Sequence, residues 1–211
     1  MKIFSDVLGT KQRQALRRLG PILSERGFYL AGGTGLAMQL GHRRSADFNW
    51  FTSSRILDPL RLAGDLERKD TQIEIESTDR GTLHCTIDDV RLSFLEYSYP
   101  LLKRLIRVPE YACRLASPAD IAAMKLAAVS QRGAKKDFID VYALIESGHP
   151  LAELLGLYSK KYSVADWGHV LYSLAYFEDA DQERMPAMVW KVEWRTIKRR
   201  IQETVREAAS V

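Results

Sequence analysis

Two short stretches of this 211-residue chain carry residue types suited to phosphate chemistry: Gly32-Gly33-Thr34 and Asp47-Phe48-Asn49. Glycines at a strand–turn–helix junction let backbone approach a phosphate closely, and a helix N-terminus offers unpaired N–H groups and the positive end of a dipole. Thr34 could add a hydroxyl. Residues two apart on a strand point the same way, so Asp47 and Asn49 share a face on which a Mg²⁺ bridging to a triphosphate could sit. The plainer alternative is a tight turn with a helix cap, and an acid engaged in a surface ion pair.

Between these stretches lies His42-Arg43-Arg44-Ser45, whose cations and hydroxyl could reach a triphosphate. The alternative is a solvated loop, or Arg43 paired with Asp47. A third group follows Ser117. Lys125 and Arg132 are seven residues apart and stack on one helical face; Asp137 and Asp140 are three apart and share another. Gly133 separates the pairs, so two cations and two anions gather at one helix–helix junction. An interhelical salt-bridge network is the competing reading.

Hydrophobic spacing sets out the elements that must position these groups. Residues 10–26 read as a helix through Leu16, Leu19, Ile22 and Leu23, with Pro21 as a kink and Gly27 as its end. Phe28-Tyr29-Leu30-Ala31 reads as a buried strand, Gly32-Gly33-Thr34 as a turn, and Leu36, Ala37 and Leu40 as one face of a helix stopping at Gly41. A second strand spans 46–51. Asp58 and Pro59 open a helix running to Lys69. Residues 72–76 alternate as a strand, and 83–87 and 90–97 flank Asp88-Asp89 as a hairpin. From Ser117-Pro118-Ala119-Asp120, a capping box, the pattern turns helical: 118 to about 132, 135–146, 151–162, 164–176 and 193–208. The predicted fold class is α+β, with a mixed, largely antiparallel core over 1–114 and a helical part over 115–211.

Composition bounds the functions available. The chain is 46% hydrophobic and 27% charged, with a net charge of +4. That is a globular balance that permits a polyanionic partner without demanding one. Cys85 and Cys113 stand apart from each other and from histidines, which argues against a disulfide framework or a zinc site. With neither a signal-peptide pattern nor a long apolar run, the expectation is a cytoplasmic protein with no membrane partner.

Taken in order, these residues resemble a known family. The stretch Phe28-Tyr29-Leu30-Ala31-Gly32-Gly33-Thr34-Gly35-Leu36-Ala37, then His42-Arg43-Arg44-Ser45-Ala46-Asp47-Phe48, resembles the opening motif of the AbiEii/AbiGii toxin nucleotidyltransferases. Lys125-Leu126, Gln131-Arg132-Gly133 and Lys136-Asp137-Phe138-Ile139-Asp140-Val141-Tyr142-Ala143-Leu144 resemble the closing motif. Tyr176-Phe177-Glu178-Asp179-Ala180, with Met185-Pro186 after it, resembles one branch of the family.

The resemblance implies a polymerase-β-like nucleotidyltransferase core, Mg²⁺ as cofactor, a nucleoside triphosphate substrate and an acceptor that includes tRNA. It also implies a bacterial toxin paired with an antitoxin from the adjacent gene. Carried over, Gly32, Gly33 and Thr34 bind nucleotide together with Arg43, Ser45 and Arg132. Asp47 and Asn49 hold the metal. Asp47, Lys125, Asp137 and Asp140 form the catalytic set, with a base role open to either of the last two.

Two departures stand out. The family's Asp-x-Asp is here Asp47-Phe48-Asn49, one negative charge short. A third acid, expected on a neighbouring strand, is replaced by Ser93 and Arg91 at the inward parity, and Glu96 has the opposite parity. The alternative function is therefore a catalytically weakened member that binds nucleotide or a protein partner without efficient transfer. The final helix carries Trp194, Ile197, Ile201 and Val205 on a packing stripe, with Arg195, Lys198, Arg199, Arg200 and Arg206 beside it. Those cations are a candidate tRNA contact, against the alternative of a solvated amphipathic face.

Overall fold

The computed structural model describes residues 2–67 and 73–210. Helix α1 (Thr10–Glu25) leads to strand β1 (Tyr29–Ala31), helix α2 (Gly32–Leu40), β2 (Phe48–Thr52) and α3 (Pro59–Leu66). Strands β3 (Ile73–Asp79), β4 (Thr82–Ile87), β5 (Val90–Glu96), β6 (Ile106–Val108) and β7 (Cys113–Leu115) follow. Helices α4 (Pro118–Arg132), α5 (Lys135–Glu146), α6 (Leu151–Tyr162), α7 (Gly168–Ala175), α8 (Glu178–Gln182) and α9 (Trp194–Ala209) close the chain.

Among the described residues the strands form one sheet in the order β3-β4-β5-β2-β1-β7-β6. Its pairings are antiparallel except β2 with β5 and β1 with β7. Period-two alternation gives the sheet two chemistries. Phe48, Trp50, Leu92, Phe94, Leu83 and Cys85 turn to one face and pack with Leu16, Leu19 and Leu23 of α1. Asn49, Ser93 and His84 lie side by side on the opposite face, because the register pairs Asn49 with Ser93 and Ser93 with His84. A second apolar cluster joins Tyr29, Ala31 and Leu36 to α4–α7 and α9. The helical half thus borders the strand ends that carry the polar row.

Local chemistry explains the element ends. Ser117 caps α4 by accepting the Asp120 N–H at 3.1 Å, Pro118 occupies the first helical position, and Gly133 ends the helix in the left-handed region at φ 55°. The Asp120 carboxylate does not complete a capping box. It accepts the Ser117 hydroxyl and the Leu102 and Lys103 amides, and it pairs with the buried Lys161. Asp88 and Asp89, both at positive φ, make the tight β4–β5 turn.

Some expected boundaries move. Gly32-Gly33-Thr34 is not a free turn; the helix starts at Gly32 directly after β1. The second strand begins at Phe48, because the 45–47 segment is held to α2. The helix expected from Val164 begins at Gly168, after Asp166 bonds the Gly168 amide at 2.7 Å. The stretch resembling one branch of the family, for which no element was expected, carries the short helix Glu178–Gln182. The expected ends at Lys69 and Gln72 lie outside the described residues. Strands β6 and β7, three residues each, were not anticipated. No helix among the described residues is long and apolar enough to cross a membrane.

Candidate functional site

A cleft of about 1080 Å³ lies between the polar face of the sheet and the helical half. Its lining includes Gly32, Gly33, Arg43, Ser45, Asp47, Asn49, Lys125 and Arg132, so eight of the eleven residues singled out above share it. Thr34, Asp137 and Asp140 stand just behind this surface and reach it through their partners.

Thr34 is fully buried. Its hydroxyl is bonded to the Ser45 hydroxyl at 2.7 Å and donates to the Asp47 carbonyl. It therefore fixes the loop that presents Asp47 rather than facing the cleft. The Asp47 carboxylate is half-buried and enters no hydrogen bond or ion pair among the described residues. Asn49, two residues on, packs against Gly32: a Cβ at Gly32 would meet the Asn49 amide nitrogen at 3.0 Å, at a backbone φ of +64° that a side chain already disfavours.

Gly33 serves a different neighbour. A Cβ there would overlap an Arg43 guanidinium nitrogen. The missing side chain makes room for Arg43 to cross the helix start, which adds a fixed positive charge to a site already favourable to anions. Arg43 does not pair with Asp47. It makes a two-pronged contact with Asp140, at 2.7 and 2.9 Å.

Asp140 is the hub of a largely buried network. Besides Arg43 it meets Lys125 at 2.6 Å and His42 Nε2 at 2.7 Å, and all three partners are buried. Lys125 continues to Asp137 at 2.8 Å, and Arg132 grips Asp137 at 2.7 and 3.0 Å. Helices α4 and α5 meet at Gly133, so the spacing that stacked Lys125 with Arg132 brings Lys125 to both acids and Arg132 to Asp137. Burial pushes the Asp140 carboxyl up, but Lys125, Arg43 and the His42 hydrogen bond outweigh it and hold it well below the usual range. Asp137 is lowered in the same way: burial opposes, and Lys125 and Arg132 prevail. Burial depresses His42 against the pull of Asp140, so the neutral ring donates from Nε2. The loop carrying His42 and Arg43 is clamped by the segment before α9: Arg44 N–H donates to the Ala187 carbonyl at 2.7 Å, and Val189 and Trp190 N–H donate to that of His42.

Other cleft residues were not picked out from sequence. His84, which belongs to none of the motifs singled out above, lies in the cleft with Nδ1 2.8 Å from the Ser93 hydroxyl. This pair occupies the strand position where a third acid was sought. Glu96 points elsewhere, accepting from the Ile56 amide at 3.2 Å. Phe51, Tyr97, Tyr99, Tyr158 and Tyr162 form an aromatic wall. For Phe51 the available clue was parity, since it continues the Asp47–Asn49 series.

Among the described residues no group of three or more His, Cys, Asp or Glu side chains is arranged to hold a metal. Asp47 and Asn49 offer one uncommitted carboxylate and one amide beside a helix start that favours anions. That set suits a divalent cation completed by phosphate oxygens and water, the usual manner of Mg²⁺. It does not suit a pair of metals, because Ser93 adds no charge beside Asn49.

On the α9 surface, Lys198 pairs with Asp181 at 2.8 Å and Arg200 with Glu146 at 3.0 Å. Two of the five candidate cations there are thus already partnered across elements.

A strand–helix start facing a partly exposed sheet, closed by a helical half, defines a nucleotidyltransferase fold. Two crystal structures from Helicobacter pylori, one of a putative nucleotidyltransferase and one of JHP933, share it, each with a TM-score of 0.58. They are 15% and 14% identical to the chain, cover 96% and 99% of it, and are themselves covered over 96% and 94% of their length. MenT4, a nucleotidyltransferase toxin from Mycobacterium tuberculosis H37Rv, has a TM-score of 0.57 at 14% identity, over 94% of this chain and 83% of its own. In sequence, an uncharacterised protein of Aquifex aeolicus (strain VF5) is 37% identical over 178 residues, 83% of this chain and 86% of that protein. The model of the nucleotidyl transferase AbiEii toxin of type IV toxin–antitoxin systems matches residues 60–210. The chain belongs to this AbiEii nucleotidyltransferase toxin family.

Proposed function

We propose that the chain transfers a nucleotide from a Mg²⁺-bound nucleoside triphosphate to an RNA acceptor of the tRNA class, as the cytoplasmic toxin of a pair whose antitoxin is encoded beside it. The observation that carries this reading is the placement of the uncommitted Asp47 carboxylate, with Asn49, beside the α2 start and opposite Arg43, Lys125 and Arg132 in one cleft. In the reaction, an acceptor hydroxyl oxygen attacks the α-phosphorus, the bond from the α-phosphorus to the bridging oxygen of the β-phosphate breaks, pyrophosphate leaves, and the hydroxyl proton passes to solvent water. Mg²⁺, held by Asp47 and Asn49, would supply charge neutralisation at the phosphates. Gly32 and Gly33 open the helix start to them. Arg43, Arg132 and Lys125 place fixed positive charge where pyrophosphate develops negative charge. Asp137 and Asp140 act as positioning residues: their carboxylates are bound to the cations and held in the ionised form, so neither is suited to accept a proton.

A second reading, nucleotide or partner binding without efficient transfer, is favoured by Asn49 and by Ser93 beside it in place of acids. Incubation with labelled nucleoside triphosphates, Mg²⁺ and total tRNA separates the two. Label in tRNA that depends on Mg²⁺ supports transfer, and Asn49→Asp is expected to increase it by restoring the missing charge. Nucleotide binding with no label from either protein supports the second reading.

The acceptor surface has its own test. Joint replacement of Lys198, Arg199 and Arg200 by alanine is expected to weaken tRNA binding by about threefold to tenfold at low salt, with the difference shrinking as salt rises. Nucleotide affinity should not change. Equal tRNA affinity for both proteins at low salt places the acceptor on another face.

A further inference from the structure

We infer that the aromatic wall of the cleft is a stacking site for the base of the incoming nucleotide. This rests on the proposed triphosphate site, and it assigns the part of the cleft that phosphate chemistry leaves unexplained.

The placement follows from strand geometry. Asn49 and Phe51 share one face of β2, Asp47 immediately precedes that strand, and all three line the cleft; at a rise of about 3.3 Å per residue Phe51 lies roughly 7 Å beyond Asn49, on the side away from Asp47. The parallel neighbour carries Ser93 opposite Asn49 and Leu95 opposite Phe51. Its continuation is held by the Tyr97 N–H donating to the Thr52 carbonyl at 2.8 Å. A nucleotide with phosphates at Asp47 and the α2 start, lying along these strands, carries its base away from the charged end and into the aromatic one.

The wall is built and braced. Phe51 and Tyr97 meet edge to face at 5.3 Å, Tyr97 and Tyr99 lie 5.1 Å apart, and Tyr99 and Tyr162 meet at 4.7 Å. The Tyr97 and Tyr162 hydroxyls are 2.6 Å apart and so occupy each other. Beneath them the fully buried Lys161 lies over the Tyr97 ring, bonds the Pro100 carbonyl at 2.9 Å and pairs with Asp120, which also holds the Leu102 and Lys103 amides. A buried ion pair thus fixes the turn that displays Tyr99, a tyrosine left 46% exposed at the cleft. An exposed ring on a rigid support is a platform already ordered for stacking, and stacking of this kind accepts every base because each has a π-face.

The test compares two Mg²⁺-bound probes by calorimetry, ATP and inorganic tripolyphosphate, which has the phosphates without the base. Tyr99→Ala is expected to lower ATP affinity about tenfold or more and to leave tripolyphosphate affinity unchanged; Tyr99→Phe should retain ATP affinity. Unchanged ATP affinity in Tyr99→Ala overturns the assignment, and weakened tRNA binding alongside it would give the wall to the acceptor instead. Parallel losses for both probes also overturn it, because they indicate a distorted cleft. If the unaltered protein binds neither probe, the triphosphate site itself is wrong, an outcome distinct from a base site that fails alone.

Discussion

Asp140→Asn is expected to lower the free energy of unfolding by about 3–5 kcal/mol, the scale of removing one partner from a buried charge network. The carboxylate is fully buried and answers Arg43, Lys125 and His42 together. Without it Arg43 keeps its place over Gly33 with no counter-charge in contact, and Lys125 keeps only Asp137. Asp137→Asn should cost less, because the Arg132 side chain is 56% exposed and can turn to water. Urea denaturation at neutral pH measures both. A loss within about 1 kcal/mol for Asp140→Asn would mean that the network behaves like an exposed pair and is already hydrated.

The same network fixes a direction for acid stability. Asp140 and Asp137 are depressed in the folded chain, so their contribution is complete above the ordinary carboxylate range and is lost as pH falls through their lowered values. His42 is depressed as well, so its contribution begins to fall earlier, as pH drops below the ordinary imidazole range. Both act on the acid side, and Asp140→Asn should flatten the lower part of that decline while deepening the part below the ordinary imidazole range, because the Asp140 carboxylate is what holds the His42 value up against burial.

What the sequence made legible was mostly local. Ser117-Pro118 and Gly133 bound α4 because capping and left-handed backbone are decided within a few residues, and Asp88-Asp89 announced its hairpin for the same reason. The spacing of Lys125, Arg132, Asp137 and Asp140 placed four charges at one junction because helical periodicity extends over a turn or two. Periodicity says nothing about position 43 relative to position 140, yet the Arg43–Asp140 contact commits the Arg43 guanidinium to Asp140 and leaves Asp47 uncommitted. Gly33 looked like a phosphate-binding glycine, and only packing revealed the guanidinium filling its missing side chain. The aromatic wall was hidden differently. Tyr158 and Tyr162 fell inside the expected 151–162 helix and Tyr97 at the end of an expected strand, and the two groups meet only when α6 is laid against the sheet.

Asp47→Ala should leave folding nearly intact and remove function, the reverse of Asp140→Asn. Its carboxylate is half-buried and uncommitted within the described residues, so the substitution strands no buried charge. It does remove the acid that Asn49 cannot replace, leaving a neutral amide beside the α2 start. Under the proposed reaction, transfer should fall by about 100- to 1000-fold, the range for losing one group aimed at developing charge. Nucleotide affinity should also lose its dependence on Mg²⁺. The phosphates would retain Arg43, Arg132, Lys125 and the helix start, so some metal-independent binding should persist. Calorimetry with ATP, with and without Mg²⁺, reads this even in a protein too slow to assay. If the unaltered chain binds ATP equally in both conditions, Asp47 does not hold a metal, and the cleft would be a polyphosphate site worked by its cations alone.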